Sequence, residues 1–182
     1  MKFGLLYCFV FVISFSACKT PQPISVTLDD LSLAVPAGFT ENLKGQQMNC
    51  GESVDPVRNQ YAKIDGKTFV DFQVLSTNVA YAEAEDHDFT TSRVLAIYRI
   101  FYSELMGDKF TYVEEVPITI GDKKGIIITL DDKSEDQPKK GEIIAVYHNK
   151  RVYMLVYSDF ATHFEEGKAD WAAIKSSVKF KK

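Results

Sequence analysis

Three histidines and three cysteines in 182 residues leave little material for metal or thiol chemistry. The GxSxG elbow that would raise a serine nucleophile is absent, and so are the GxxxxGK[ST] and GxGxxG loops that cradle phosphates. No apolar run is long enough for a transmembrane helix, which needs about 20 residues: the run from Phe3 to Phe15 stops short, and the polar stretch Lys19 to Pro23 follows it. Basic residues are outnumbered, 21 against 25 acidic, for a net charge of −4. That balance argues against nucleic acid, whose phosphates need a basic face. Internal repeats and low-complexity segments are also missing.

What is present describes an exported globular chain. Hydrophobic residues make up 46%, charged 25% and aromatic 13%, the proportions of an ordinary folded domain. The length fits a single domain. At the start, Lys2, the apolar run and the small residues Ser16 and Ala17 form the three parts of a secretory signal.

The cysteine that follows at once makes the segment SFSAC resemble the bacterial lipobox. In that family the cysteine thiol takes a diacylglyceryl group and the chain is cut before it. Phe15 departs from the pattern, which most often has leucine there. Small residues alone would equally serve ordinary secretion after Ala17, leaving Cys18 as a free thiol. The lipobox reading makes residues 1–17 the signal peptide, Cys18 the lipid attachment site, 18–23 a short linker with two prolines, and 24–182 one domain. Lys19, rather than an aspartate, follows Cys18, which by the lipoprotein sorting rule points to the outer membrane, facing the periplasm. Loss of the signal removes Lys2 and no acid, so the charge becomes one unit more negative, and membrane attachment rests on the acyl chains. Cys8 leaves with the signal and Cys18 is acylated. Cys50 then stands alone, with no CxxC partner and no obvious base, and reads as a small packing residue.

Along the domain, Leu31, Leu33 and Val35 alternate with Ser32 and Ala34 as a strand that Pro36-Ala37-Gly38 ends, and Phe39 turns back to the core. Asn42 to Val54 has no period and reads as a loop. Val57–Ile64 and Lys67–Leu75 form a hairpin about Asp65-Gly66. Thr90 to Met106 carries Val94, Ile97, Tyr98, Phe101 and Leu105 at helical spacing, with Thr90 as N-cap and Gly107 at the end. Three or four strands follow as an antiparallel meander, over Tyr112–Ile120, Gly125–Leu130, Glu142–His148 and Arg151–Ser158. IIITL, IIAV and VYMLV are apolar on both strand faces, so the sheet is expected to be covered on both sides. A second helix is expected where Thr162 and Glu165 make a capping box and Phe164, Trp171, Ile174 and Val178 recur. The fold class predicted is α/β, an antiparallel sheet flanked by helices.

In that order the chain resembles the PsbP-like superfamily, which also includes a nuclear-import cofactor and bacterial periplasmic and secretion-chaperone relatives. The resemblance rests on LSLAVPAGF, on IGDKKGIIITL, and on the long hairpin leading to a tryptophan-bearing segment that closes with IKSSVKF. It implies an α-β-α sandwich and a bias toward binding, since members mostly act as adaptors or chaperones. These motifs are structural, and no family functional residue carries over.

The cluster EAEDHDF sets Glu83, Glu85, Asp86, His87 and Asp88 within six positions. Glu83, His87 and Asp88 are metal-ligand candidates, since carboxylate and imidazole one helical turn apart suit hard or borderline ions. The simpler reading is that these acids complement the positive end of the helix starting at Thr90. His148 and His163 read as surface residues. The charged run Asp131 to Glu142 reads as a solvated loop, or as a contact site. Tyr98, Phe101, Tyr102, Tyr153, Tyr157 and Trp171 have the spacing of a core, with a pocket lining as the other reading. The sequence therefore predicts a membrane-tethered, non-enzymatic accessory module of the cell envelope without a cofactor, anchored through lipid on Cys18 and binding a protein partner or a small apolar ligand. The alternatives are a metal-binding or enzymatic domain around His87 and a purely structural envelope protein.

Overall fold

The computed structural model describes residues 21–47, 57–65, 68–78, 110–132, 136–149 and 151–182. β1 (Ile24–Leu28) and β2 (Leu31–Val35) form an antiparallel hairpin in which Ile24 pairs with Val35 and Leu28 with Leu31. Asp29 takes the left-handed conformation, φ 52°, at the corner, a position aspartate tolerates better than most residues. Leu31, Leu33 and Val35 all point into the core, as their alternation predicts, and after Pro36 the chain brings Phe39 into it as well.

Seven strands make the large sheet: β3 (Thr40–Gln47), β4 (Val57–Asp65), β5 (Thr68–Asn78), β6 (Phe110–Ile120), β7 (Lys123–Asp132), β8 (Lys139–His148) and β9 (Arg151–Phe160), in the order β3-β4-β5-β9-β8-β7-β6. Every neighbouring pair is antiparallel. The predicted hairpin and meander are both present. Two loop predictions need correcting. Thr40–Gln47 is a strand despite its polar sequence, because an edge strand with one partner has little to bury; register shifts at Glu41/Leu43 and Leu43/Gln46 remove its alternation. The charged run is likewise partly strand, since Asp131 faces Lys140 and Asp132 faces Lys139 across β7 and β8. Opposite charges on facing positions stabilise such a ladder.

After β9 the chain makes turns over 161–167, then α1 (Lys168–Ser177) and β10 (Lys179–Phe180), which pairs with β2. The capping box at Thr162 and Glu165 does not open this helix: its N-cap is Gly167, with no side-chain cap bond. A β-carbon at 167 would run into the Tyr157 hydroxyl, so close approach to the sheet, rather than local capping, sets where the helix begins.

The predicted α-β-α sandwich, an α/β sheet flanked by helices, is not what the chain forms. Among the described residues there are two antiparallel sheets and one helix. The layer over one face of the large sheet is the three-stranded sheet β1-β2-β10 together with α1, and the core between them contains Leu33, Val35, Phe72, Leu155, Tyr157, Trp171 and Ile174. The physical reason is that the terminal segment spends residues on turns and on pairing with β2, leaving ten for a helix. Ser177 ties the layer together, its hydroxyl accepting from the Ala34 N–H at 2.9 Å. The opposite face is also buried at Leu75, Ile128, Ile143 and Met154. The helix predicted over Thr90–Met106 lies outside the described residues.

Candidate functional site

Cys18, Cys50, Glu83, His87 and Asp88, with the rest of the acidic cluster, lie outside the described residues. Among the described residues no group of three or more His, Cys, Asp or Glu side chains is placed to hold a metal ion. The histidines at 148 and 163 are at the surface. His148 donates from Nε2 to the Lys181 carbonyl at 3.0 Å and meets Phe180 edge-on, while His163 Nδ1 lies 3.3 Å from Glu166 Oε1. Both are structural contacts. Tyr153, Tyr157 and Trp171 are core residues, at most 1% exposed, and Tyr157 stacks on Trp171 with ring centroids 5.3 Å apart. Burial, followed by the nearby carboxylates of Asp159, Asp170 and Glu142, pushes the Tyr157 hydroxyl well above the usual tyrosine range.

The surface feature that stands out is the rim formed by β6. It is the last strand of the large sheet, and Tyr112, Val113 and Val116 are 45%, 52% and 41% exposed on it. Scattered exposed apolar residues are ordinary, whereas several on one edge strand form a patch. The edge is also guarded. A register shift between Tyr112 and Glu114 breaks the ladder, Glu114 and Glu115 add charge, and Pro117 lacks a donor. Bulges, charges and prolines are how sheet edges resist indiscriminate strand pairing. The rim is therefore built for side-chain contact more than for open-ended sheet extension.

Where β6 ends, an open groove of about 460 Å³ runs between it and α1, lined by Ile118, Thr119, Ile120, Gly121, Ala172 and Lys175. Its helix wall is held in place from beneath. Trp171 Nε1 donates to Glu142 Oε2 at 2.6 Å, Lys175 Nζ lies 3.8 Å from the same oxygen, and that ammonium sits 5.2 Å over the Trp171 ring. Apolar strand residues on one wall and an anchored cation on the other suit an amphipathic segment. Sequence reasoning found the strand but missed its edge position. Pro117 was the available signal, since proline within a strand marks an edge.

A second polar cluster locks the two sheets. Asp29 Oδ2 accepts from the Ser76 hydroxyl at 2.7 Å and pairs with Arg151 Nε at 2.9 Å, while Asn149 donates to Asp30 Oδ2 at 2.8 Å. These groups satisfy one another and present no substrate-binding geometry.

No family model matches the sequence, and no curated protein is similar to it. Solved structures are similar to it, and the first of those that follow shares its fold. The PsbP protein of the cyanobacterium Synechocystis sp. PCC 6803 superposes with a TM-score of 0.58 at 9% identity, over 93% of this chain and 99% of that one. LpqN of Mycobacterium tuberculosis, involved in cell envelope biogenesis, reaches 0.49 at 9% identity over 88% and 91% of the two chains. A Pseudomonas aeruginosa protein of unknown function reaches 0.49 at 11% identity over 85% and 94%. The fold is thus PsbP-like, as LSLAVPAGF and the motifs after it implied, although the helical layering expected with it is not present among the described residues.

Proposed function

We propose that the chain is a non-enzymatic accessory module of the cell envelope, held on the outer membrane by lipid on Cys18, that binds a protein partner along the β6 rim and the groove beside α1. The observation that carries this reading is the exposure of Tyr112, Val113 and Val116 on one edge strand next to that groove. Burial of such residues against a partner contributes about 25 cal/mol per Å² of apolar surface. A PsbP-like fold is compatible with a binding role, but a fold alone does not specify one. Support for the anchor comes from the sequence SFSAC, with Cys18 directly after two small residues.

The test is site-specific photo-crosslinking in the producing cells, with the probe at Val113 or Val116 and a control probe at the exposed Ile64 on β4, towards the other end of the sheet. A discrete product from the rim positions only, weakened when Tyr112→Asp is added, supports the reading. Identical products from rim and control positions would sink it. The anchor is read separately, by whether Cys18→Ala moves the protein from the membrane to the soluble fraction.

A further inference from the structure

Arg58 lies on β4, beside the edge strand β3, at the end of the large sheet remote from β6. It is only 7% exposed, and its side chain shares a face with that of Leu75, its partner on β5. A guanidinium keeps its proton under any ordinary condition, and removing it from water costs several kcal/mol unless an anion meets it. Here a neutral oxygen meets it. Nη2 donates to Gln46 Oε1 at 2.5 Å, Nε donates to no acceptor, and Arg58 forms no ion pair among the described residues. The acid that shares its face on β4 and β5 is Asp71, two face positions further along, opposite Ala62. Both Asp71 oxygens are occupied, by the amides of Gln60 at 2.9 Å and Gln73 at 2.7 Å.

We infer that Arg58 anchors a binding subsite for the oxyanion of a ligand, a phosphate or a carboxylate. Nε and Nη2 lie along one edge of the guanidinium plane, the edge that grips two oxygens of such a group side by side. The Gln46 amide oxygen holds one of those two positions. Gln46 itself is exposed, so it can yield its place to an anion arriving from the β3 edge. Beside Gln46, β3 is unpacked at Gly45. Gly45, at φ 60°, bends β3 so that its N–H donates to Asn59 Oδ1 at 2.6 Å, and a β-carbon at 45 would meet nothing within 4 Å. The subsite is independent of the proposed β6 interface and stands or falls separately.

The probes are inorganic phosphate and acetate, each titrated into the full-length protein against sodium chloride at matched ionic strength, with the melting temperature and the Arg58 Nε–H resonance as readouts. At ten times the dissociation constant the specific anion should raise Tm by roughly 3–6 °C. It should also move the Nε–H signal. A response to phosphate marks a phosphoryl ligand and a response to acetate a carboxylate. Arg58→Gln should abolish the shift, and Arg58→Lys, which keeps the charge without the fork, should weaken binding about tenfold. The idea is overturned if neither anion acts differently from chloride. It is overturned equally if the Tm shift survives in Arg58→Gln, or if the Nε–H signal of the unmodified protein stays still throughout. That last readout does not depend on any variant folding.

Discussion

Gly167 sits against the hydroxyl of Tyr157, with no room for a β-carbon between them. This contact decides where α1 can start, and it crosses from the helix layer to the central strand β9. Glycine also suits the N-cap position better than alanine, and Gly167→Ala should destabilise the fold by about 1–3 kcal/mol, chiefly through overpacking. Chemical denaturation will show the sign. A stabilised variant would mean that the approach of α1 to β9 is looser than described.

Tyr157 also carries a buried hydroxyl with no hydrogen-bond partner. A buried polar group left without a partner costs about 1–3 kcal/mol. Tyr157→Phe should therefore be neutral or stabilising, and it should recover part of the Gly167→Ala loss in the double variant. A simple sum of the two single effects in a double-mutant cycle would show that the residues are not coupled.

Alkaline pH should weaken the fold. Burial first, then the carboxylate of Glu41, pushes the Tyr61 hydroxyl from its ordinary value of 10.0 up to about 12. Tyr153 and Tyr157 move in the same direction, chiefly through burial. A tyrosine that ionises at higher pH when folded contributes its full stabilisation below the unfolded value. That contribution is lost as pH rises through the folded one. Urea melts should accordingly show stability falling between pH 10.0 and about 12, with a shallower fall in Tyr61→Phe. A flat profile across that window would contradict the burial of these rings.

Trp171→Phe keeps a large ring in the core while removing the N–H that Glu142 accepts. A hydrogen bond to a charged group contributes about 1.5–3 kcal/mol, so a loss in that range is expected from unfolding followed by far-UV circular dichroism. Glu142→Gln, which keeps an acceptor oxygen, should lose less.

Substitutions on the rim should behave in the opposite way. Val113→Asp and Val116→Asp place charge where the side chains already meet solvent, and surface changes of this kind usually shift stability by no more than about 0.5 kcal/mol. Their thermal unfolding should match the parent protein while the rim crosslinks are lost. Large destabilisation would show these residues to be internal packing rather than interface.

The parts of this fold that were legible in the sequence are those with local causes. Alternation in Leu31–Val35, the Asp65-Gly66 signal between β4 and β5 and the doubly apolar strands of the meander each announce themselves within a few residues. What was not legible depends on distant partners. β10 is two residues long and exists only because β2 lies beside it. β3 is polar because it is an edge, and α1 begins at Gly167 because of a residue ten positions back on β9. The site follows the same division. Composition shows that Arg58 and Val113 are present, but only the register of the sheet shows that the arginine is buried and the valine exposed.

The small sheet has a bearing on when the protein becomes itself. The Ser32 hydroxyl donates to the Lys179 carbonyl across a separation of 147 residues, so β2 waits with one edge bare until almost the whole described chain has been made. Contacts of such long range close slowly, and a chain made from its N-terminus completes β1 and β2 long before β10. For that interval the hairpin β1-β2 is an unfinished edge with Leu31, Leu33 and Val35 exposed to whatever is nearby. Its safe completion depends on how soon the rest of the chain arrives as much as on stability, and a chaperone that shields this hairpin in the meantime would act on the step most open to aggregation.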